Sequence, residues 1–191
     1  MEKSKCPMPL EDIKERVLST IVDLYRYDGD LLDRDANERS ITHKLAEHLQ
    51  RQFPGWNVDC EYNRRENEVK QLVNPYKGDK VSPADLEAKT VFPDVVVHKR
   101  GEQVNLIVIE VKKKLNSRNR RKDIQKLSSF TSDENYLYCV GLFWEIGTIE
   151  SITGESITKL TVFSEGRESE EWSEEWSKEL VRRLQESRHA R

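Results

Sequence analysis

The chain has 191 residues, of which 36% are hydrophobic and 35% are charged. This length suits one domain, and we predict a single domain over residues 1–191. The longest aliphatic run, Leu106 to Ile109, is far shorter than the roughly 20 residues that cross a bilayer. The first residues also lack the apolar core of a signal peptide. We therefore expect no membrane partner and a cytoplasmic location.

The cysteines and the net charge exclude further classes of protein. Cys6, Cys60 and Cys139 are odd in number, far apart and without a CxxC pair. This spacing argues against a disulfide framework and against a zinc ribbon, and it is typical of a reducing compartment. The net charge of -3 excludes a simple polycation. Binding to nucleic acid would therefore have to depend on local charge.

The first part of the chain predicts two helices and a strand. Apolar residues three to four apart predict a helix over 9–26, and residues 27–36 are acidic and typical of turns. A second helix is expected to begin after Asn37, with Ser40 as an alternative N-cap, and to end at Pro54-Gly55. Alternating apolar and polar residues then predict a strand over 56–62. The buried stripe of the second helix is expected to comprise Ile41, Leu45, Leu49 and Phe53.

The second part of the chain predicts a mixed sheet. Residues 64–90 are polar and rich in turn signals, which predicts a long loop with at most one short element. The β-branched runs Val91–Lys99 and Val104–Lys113 are joined by a short segment containing a glycine, which predicts a hairpin. Beyond the hairpin we expect a helix over 119–131 with Ile124, Leu127 and Phe130 inward, a central strand over 136–146, a strand over 157–164 and a helix over 170–188. The last helix carries Trp172 and Trp176, which we interpret as a packing seam and not as a base-stacking platform.

Two carboxylates and one ammonium group are expected to meet at the open end of the hairpin. Side chains alternate along a strand, so Glu110 and Lys112 should share one face with Val108 and Leu106. The length of the turn places Asp94 opposite residue 109 or 110. Neighbouring carboxylates repel each other unless a cation lies between them. A hard divalent cation, Mg²⁺ or Mn²⁺, would relieve this repulsion, with Lys112 orienting water or meeting the negative charge of a phosphate. This chemistry is suited to hydrolysing phosphodiesters.

These residues resemble the PD-(D/E)xK nuclease superfamily. The motif reads Pro93-Asp94, fifteen intervening residues, then Glu110-Val111-Lys112. The resemblance covers about residues 36–146 and implies a restriction-endonuclease-like α/β fold, a central mixed β-sheet flanked by helices, to which the helices 9–26 and 170–188 are appended. The segments NERSITHKLAEHLQ, WNVDCEYNR and PDVVVHKRG–NLIVIEVKK look like those of a family of small uncharacterised bacterial proteins within it.

The resemblance also implies roles for individual residues. Asp94, Glu110 and Lys112 would be catalytic, and the metal would be held by Asp94 and Glu110 with the Val111 carbonyl and with Glu38 from the helix before the sheet. A Gln on the helix after the motif is expected four residues before a Tyr. Gln125 fits the first part of this pattern, but Ser129 stands at the Tyr position. His43 lies one turn after Glu38 and is a second accessory candidate.

A basic run follows the motif directly. Residues 112–122 read KKKLNSRNRRK, with seven basic residues in eleven. Beside a metal site, such a run would contact phosphates on both sides of the cut bond; the alternative is a solvated loop and helix start. The candidate nucleic-acid-binding residues are Lys113, Lys114, Arg118, Arg120 and Arg121.

An acidic-x-Lys triplet alone is weak evidence, because it occurs four times in the chain. The fourth, Glu110–Lys112, ends an apolar strand and follows Pro93-Asp94 by one hairpin. We therefore predict an Mg²⁺- or Mn²⁺-dependent nuclease acting on DNA rather than RNA, with a homodimer or partner protein supplying specificity. The alternatives are a catalytically inactive nucleic-acid-binding module and a protein-interaction subunit of the same fold.

Overall fold

The computed structural model describes residues 6–33, 36–62, 64–65, 68–69, 71–72, 89–90, 92–102, 104–113, 120–132, 136–147 and 158–189. Within these ranges the chain forms helices and strands in the order α1, α2, α3, β1 to β7, α4, β8 to β10, α5. The helices are α1 (Leu10–Tyr27), α2 (Gly29–Asp33), α3 (Glu38–Gln52), α4 (Arg120–Ser132) and α5 (Glu170–His189). The strands are β1 (Asn57–Cys60), β2 (Arg64–Arg65), β3 (Glu68–Val69), β4 (Gln71–Leu72), β5 (Lys89–Thr90), β6 (Val95–Lys99), β7 (Val104–Lys113), β8 (Val140–Ile146), β9 (Lys159–Ser164) and β10 (Arg167–Ser169).

The main sheet has six strands in the order β1-β6-β7-β8-β9-β10. β7 and β8 are parallel, and the other neighbouring pairs are antiparallel. A parallel pair needs a crossover, and here α4 supplies it. The sheet is therefore mixed, as predicted, and β8 is central. β2 and β3 form one short pair, and β4 and β5 form another.

The helices cover both faces of the sheet. On one face, α1, α3 and α5 bury the larger apolar cluster, which includes Val95, Val97, Ile109 and Trp144. On the other face, α4 packs Leu127 and Phe130 against Val96, Val108 and Phe143. Alternate residues of β6 thus enter opposite clusters, as the period of a strand requires. The mixed α/β architecture with helices on both faces is confirmed.

The predicted helices begin and end close to the observed ones. Asn37 caps α3, and its side chain accepts a hydrogen bond from the Ser40 N–H at 2.8 Å. The predicted stripe of α3 is buried along its whole length. Trp176 is buried and Trp172 packs beside it against the larger cluster, which confirms the packing seam on α5.

Several predictions are wrong. Residues 27–36 contain the short helix α2, and β10 was not expected. Leu106 packs in the larger cluster and does not share the face of Val108 and Glu110. The reason is a β-bulge: Val97 pairs with Ile107 and His98 pairs with Asn105, so that Leu106 is the extra residue.

The cysteines also differ from expectation. Cys6 and Cys139 form a disulfide, with Cα atoms 5.6 Å apart and a sequence separation of 133. The argument from spacing failed because the fold brings distant parts of the chain together, and a pair of that kind leaves no local pattern. Cys60 is free and exposed.

Most of the predicted loop over 64–90 lies outside the described residues. The short strands β2 to β5 fall within it, which is more regular structure than the one element expected. No helix within the described ranges is both long enough and apolar enough to span a membrane.

Candidate active site

The candidate site lies where β6 begins and β7 ends. Val95 pairs with Ile109 across the antiparallel ladder, so Asp94 lies beside Glu110, as the length of the turn predicted. Gly101 provides the turn with its positive φ of 76°, a conformation that residues with a Cβ rarely adopt. The Asp94 side chain accepts a hydrogen bond from the Val111 N–H at 2.7 Å. The hairpin therefore brings the two halves of the motif together.

Glu38 reaches the same place from the first residue of α3. Its Oε1 accepts a hydrogen bond from the Lys113 N–H at 3.1 Å, and its Oε2 lies 3.5 Å from the Lys112 Nζ. Asn37 fixes the start of α3 by capping it, so the cap positions Glu38 at the end of β7. The sequence prediction that Glu38 joins the site is consistent with this placement.

Two residues of α4 complete the cluster, and the sequence reasoning missed both. Asp123 Oδ2 lies 3.4 Å from Lys112 Nζ, and Asp123 Oδ1 lies 3.2 Å from Lys126 Nζ. Lys126 Nζ in turn lies 2.7 Å from Glu110 Oε1. Asp123 could have been found from the sequence, because it lies four and seven residues before Leu127 and Phe130 and therefore on the buried face of α4. A charged residue on that face is the signal that the sequence reasoning missed.

Burial makes the two carboxylates of the motif hard to ionise. Glu110 is 2% exposed, and its pKa is raised well above the usual value by burial and then by the charge of Asp94. The pKa of Asp94 is also raised, chiefly by burial, although the Val111 hydrogen bond opposes the shift. The repulsion that the sequence predicted for adjacent carboxylates thus contributes to the shift of Glu110, but burial is the larger cause for both residues.

The two lysines have the opposite bias. Burial acts to lower the pKa of Lys112, but Asp123 and Glu38 outweigh it and the pKa is raised. Burial also acts to lower the pKa of Lys126, but the nearby carboxylates, Glu110 more than Asp123, outweigh burial and the pKa is raised. Both ammonium groups therefore stay charged at neutral pH.

An open cleft reaches the cluster from the side of α3 and β1. Its volume is about 390 Å³, and it is lined by Glu38, Arg39, Thr42, His43, Cys60, Glu61 and Asp94. His43 is exposed on α3 and therefore lies in the same cleft as Glu38 and Asp94. Arg39 pairs with Glu61 across it at 3.1 Å. Asp94 can thus be reached from solvent, whereas Glu110 lies beneath the surface.

The predicted phosphate-binding residues are only partly described. Lys114 and Arg118 lie outside the described residues. Lys113 is half-buried at the end of β7, and Arg121 is exposed at the start of α4. Arg120 pairs with Glu145 at 2.6 Å, which ties its guanidinium to β8. Gln125 is half-buried on α4, next to the Lys126 that contacts Glu110. Its accessory role, and the role of the basic run, stay predictions.

The site offers carboxylate oxygens, which are the donor atoms that a hard divalent cation prefers. Asp94 and Glu110 offer carboxylate oxygens, and the buried Glu110 Oε1 lies 2.7 Å from the Lys126 Nζ. Among those residues, no three His, Cys, Asp or Glu side chains are grouped to hold a metal. A site of this kind would need Mg²⁺ or Mn²⁺ to complete its coordination with backbone carbonyls, waters or phosphate oxygens, as Mg²⁺ commonly does.

Comparisons of the chain with known protein families, with curated proteins and with solved structures gave no match.

Proposed function

We propose that this protein is a metal-dependent nuclease with a restriction-endonuclease-like fold, which hydrolyses phosphodiester bonds in nucleic acid, DNA rather than RNA. The observation that carries the proposal is the convergence of Asp94, Glu110 and Lys112 at one end of a hairpin, beside Glu38 and an open cleft. Clustering buried charges in this way is costly, and strongly perturbed pKa values concentrate at functional sites.

Each residue of the cluster has a distinct role in the proposed reaction. Asp94 and Glu110, with the Val111 carbonyl, would hold Mg²⁺ or Mn²⁺, and Glu38 would assist. When bound, the cation supplies Lewis-acid stabilisation of the charge on the phosphate. The raised pKa of Lys112 favours its charged ammonium form. Lys112 would orient water or stabilise the negative charge that develops on the phosphate oxygens.

Glu38 and Asp123 fix the position of Lys112. Glu38 on α3 lies 3.5 Å from the Lys112 Nζ, and Asp123 on α4 lies 3.4 Å from it. Orienting a catalytic group in advance avoids the cost of ordering it during the reaction. The cleft beside Glu38 and Asp94 would be the route by which a nucleic-acid backbone approaches the cluster.

The test is cleavage of plasmid and of single- and double-stranded oligonucleotides of DNA and RNA, with Mg²⁺ or Mn²⁺. We expect the wild type to cleave DNA, and Glu110→Ala and Asp94→Ala to lose the activity. Glu174→Gln, an exposed position on α5, is the control and should cleave like the wild type. Equal inactivity of the wild type and Glu110→Ala on every substrate would remove the support for an enzyme.

A nucleic-acid-binding module that does not cleave is the second candidate. The observation that favours it is the ion pair of Lys126 with Glu110, which already supplies a cation to the buried carboxylate. A Mn²⁺ titration separates the two candidates. The nuclease should bind Mn²⁺ at a site that Asp94→Ala abolishes, and the binding module should not.

A further inference from the structure

Lys126 is the cationic partner of the buried Glu110. Its Nζ lies 2.7 Å from Glu110 Oε1, and the side chains of Lys126 and Glu110 are 13% and 3% exposed. Lys112, although it belongs to the motif, is paired with Glu38 and Asp123. The ammonium group that pairs with Glu110 therefore belongs to α4 and lies outside the motif.

We propose that the Lys126 ammonium and the divalent cation are alternative partners of the Glu110 carboxylate. In the metal-free protein Lys126 compensates the Glu110 carboxylate, and it moves away when the cation binds. This inference rests on the proposed function, and it deepens that function by assigning a positioning residue that controls how tightly the metal binds.

The buried Glu110 carboxylate carries a charge that is costly to bury. An isolated carboxylate away from water is strongly unfavourable, so a buried carboxylate needs a cation or a proton. Lys126 meets this need within the fold. In a protein without Lys126, a proton or the metal would have to fill the same role.

The Lys126 ammonium and a divalent ion on Glu110 would repel each other. A divalent ion bound to a carboxylate lies about 2.0–2.6 Å from its oxygen. Placed on Glu110, it would lie within a few ångströms of an ammonium that is itself 2.7 Å from that carboxylate. Like charges this close repel strongly in a partly buried site.

Lys126 has a second acceptor within reach. Asp123 Oδ1 lies 3.2 Å from its Nζ, one helical turn away on the same helix. The lysine stem is long and flexible, so the ammonium can shift toward Asp123 without movement of α4. The exchange therefore requires only a side-chain rearrangement.

The experiment measures Mn²⁺ affinity by calorimetry, and thermal unfolding with and without Mn²⁺, at about pH 8, well above the ordinary pKa of carboxyl groups. The proteins are the wild type, Lys126→Met, Lys126→Arg and Asp94→Ala. Lys44→Met is the matched control, because Lys44 on α3 is paired with Glu47 and Asp28 and, within the described residues, with no carboxylate of the cluster.

We expect Lys126→Met to bind Mn²⁺ about tenfold more tightly than the wild type or better. Lys126→Arg, which keeps the charge, should bind no more tightly than the wild type, and Lys44→Met should be unchanged. Mn²⁺ should also raise the unfolding temperature of Lys126→Met more than that of the wild type. If Lys126→Met folds only with Mn²⁺, the cation has replaced the ammonium, which supports the proposal.

Equal or weaker Mn²⁺ binding by Lys126→Met would overturn the inference, and so would a variant that stays unfolded in saturating Mn²⁺. Failure of the inference is distinguishable from failure of the proposed function. Wild-type Mn²⁺ binding that Asp94→Ala abolishes, without a gain in Lys126→Met, contradicts the exchange alone. No Mn²⁺ binding by either protein contradicts both the exchange and the metal site.

Discussion

At the scale of single residues, the candidate site contains carboxylates that are hard to ionise and ammonium groups that stay charged. Asp94 and Glu110 are neighbouring carboxylates whose pKa values are raised, whereas Lys112 and Lys126 are ammonium groups held by carboxylates. Lys112 contacts Glu38 and Asp123 and is not ion-paired with Glu110 within the described residues. Its removal should therefore affect the chemical step and not the binding of the metal.

The first prediction concerns Lys112→Met. We expect the cleavage rate with Mn²⁺ to fall by about 10²–10³-fold, as for the loss of one group that stabilises transition-state charge. Mn²⁺ affinity should not weaken, because no metal ligand is lost. Single-turnover cleavage and calorimetry measure the two quantities, and Lys178→Met on the exposed face of α5 is the control. Full activity of Lys112→Met would refute its assigned role.

The second prediction concerns Asp59, which supports the edge strand β1. Asp59 Oδ2 lies 2.8 Å from the Nε2 of the buried His98 and accepts a hydrogen bond from the Arg100 Nε at 2.8 Å. Burial acts to raise the pKa of Asp59, but Arg100 and His98 outweigh it and the pKa is lowered. A lowered pKa gives stability that is present above the unfolded-state pKa and is lost as the pH falls toward the folded-state value.

We therefore expect Asp59→Asn to lower the free energy of unfolding by about 1–3 kcal/mol at neutral pH. The difference from the wild type should shrink as the pH falls below the ordinary aspartate pKa of about 3.9 and toward the lower folded-state value. Urea unfolding at a series of pH values measures this, with the exposed Glu171→Gln as the control. A difference that does not change with pH would contradict the ion-pair explanation.

The third prediction concerns Tyr25, which is buried between α1 and β8. Its hydroxyl donates a hydrogen bond to the Gly147 carbonyl at 2.6 Å, and burial raises its pKa to about 12. A raised pKa stabilises the fold fully below the unfolded-state value of about 10, and this stability is lost as the pH rises through the folded-state value.

Tyr25→Phe should cost about 1 kcal/mol at neutral pH, since the Gly147 carbonyl loses its donor. Between about pH 10 and 12 the wild type should lose up to about 2–3 kcal/mol that the variant does not lose. The stability of the two proteins should therefore converge and then cross as the pH rises. Parallel pH profiles of their unfolding free energies would show that Tyr25 does not titrate in this way.

At the scale of elements, the close packing of α4 on β8 holds Asp123 and Lys126 in place. A Cβ atom added at Gly141 would lie 3.1 Å from Thr131 Cγ2, 3.2 Å from Phe163 Cβ and 3.4 Å from Leu127 Cβ. Gly141 thus lets the helix approach the strand closely. The same helix carries the two site residues that the sequence motif does not contain.

The fourth prediction follows from this approach. Gly141→Ala should destabilise the protein by about 1–3 kcal/mol, the range for overpacking a core, and it should lower cleavage by shifting α4. Thr131→Ser removes the contacting methyl and keeps the hydroxyl that bonds Leu127 and Gly166. The double variant that carries both substitutions should be more stable and more active than Gly141→Ala alone. Strictly additive effects in urea unfolding would contradict contact between these two positions.

The elements were largely predictable because their signals are local. Asn37 and Pro54-Gly55 mark the ends of α3, and the alternation in β6 and β7 sets the hairpin register that brings Asp94 beside Glu110. The α2 helix was missed because five residues beginning at Gly29 carry no periodic pattern. Asp123 and Lys126 were missed because their partners, Lys112 and Glu110, become neighbours only when α4 folds back onto β7.

At the scale of the whole molecule, the disulfide joins the segment before α1 to the residue before β8. The loop that it closes spans 133 residues, and closing a long loop restricts the unfolded chain most. This bond could not be predicted, because its two cysteines are brought together by the packing of α1 on the sheet and not by spacing.

The fifth prediction is that reduction lowers the stability of the protein by about 2–4 kcal/mol, the range typical of native disulfides. Thermal unfolding with and without dithiothreitol measures the effect. Cys60→Ser keeps the bond and should respond to the reductant like the wild type, whereas Cys6→Ser should melt at the lower temperature in both conditions. A wild type that melts at the same temperature in both conditions would contradict a stabilising bond.

The pairing of α1 with α5 has a consequence for how the protein is made. Lys14 on α1 contacts Glu175 on α5 at 2.7 Å, although they are 161 residues apart, and both helices bury the same cluster. During synthesis, the apolar stripe of α1 leaves the ribosome long before its partner exists. We expect the part of this stripe that faces α5 to stay exposed until α5 emerges, so that docking of the two helices is a late step and stalled chains are the ones that require chaperones.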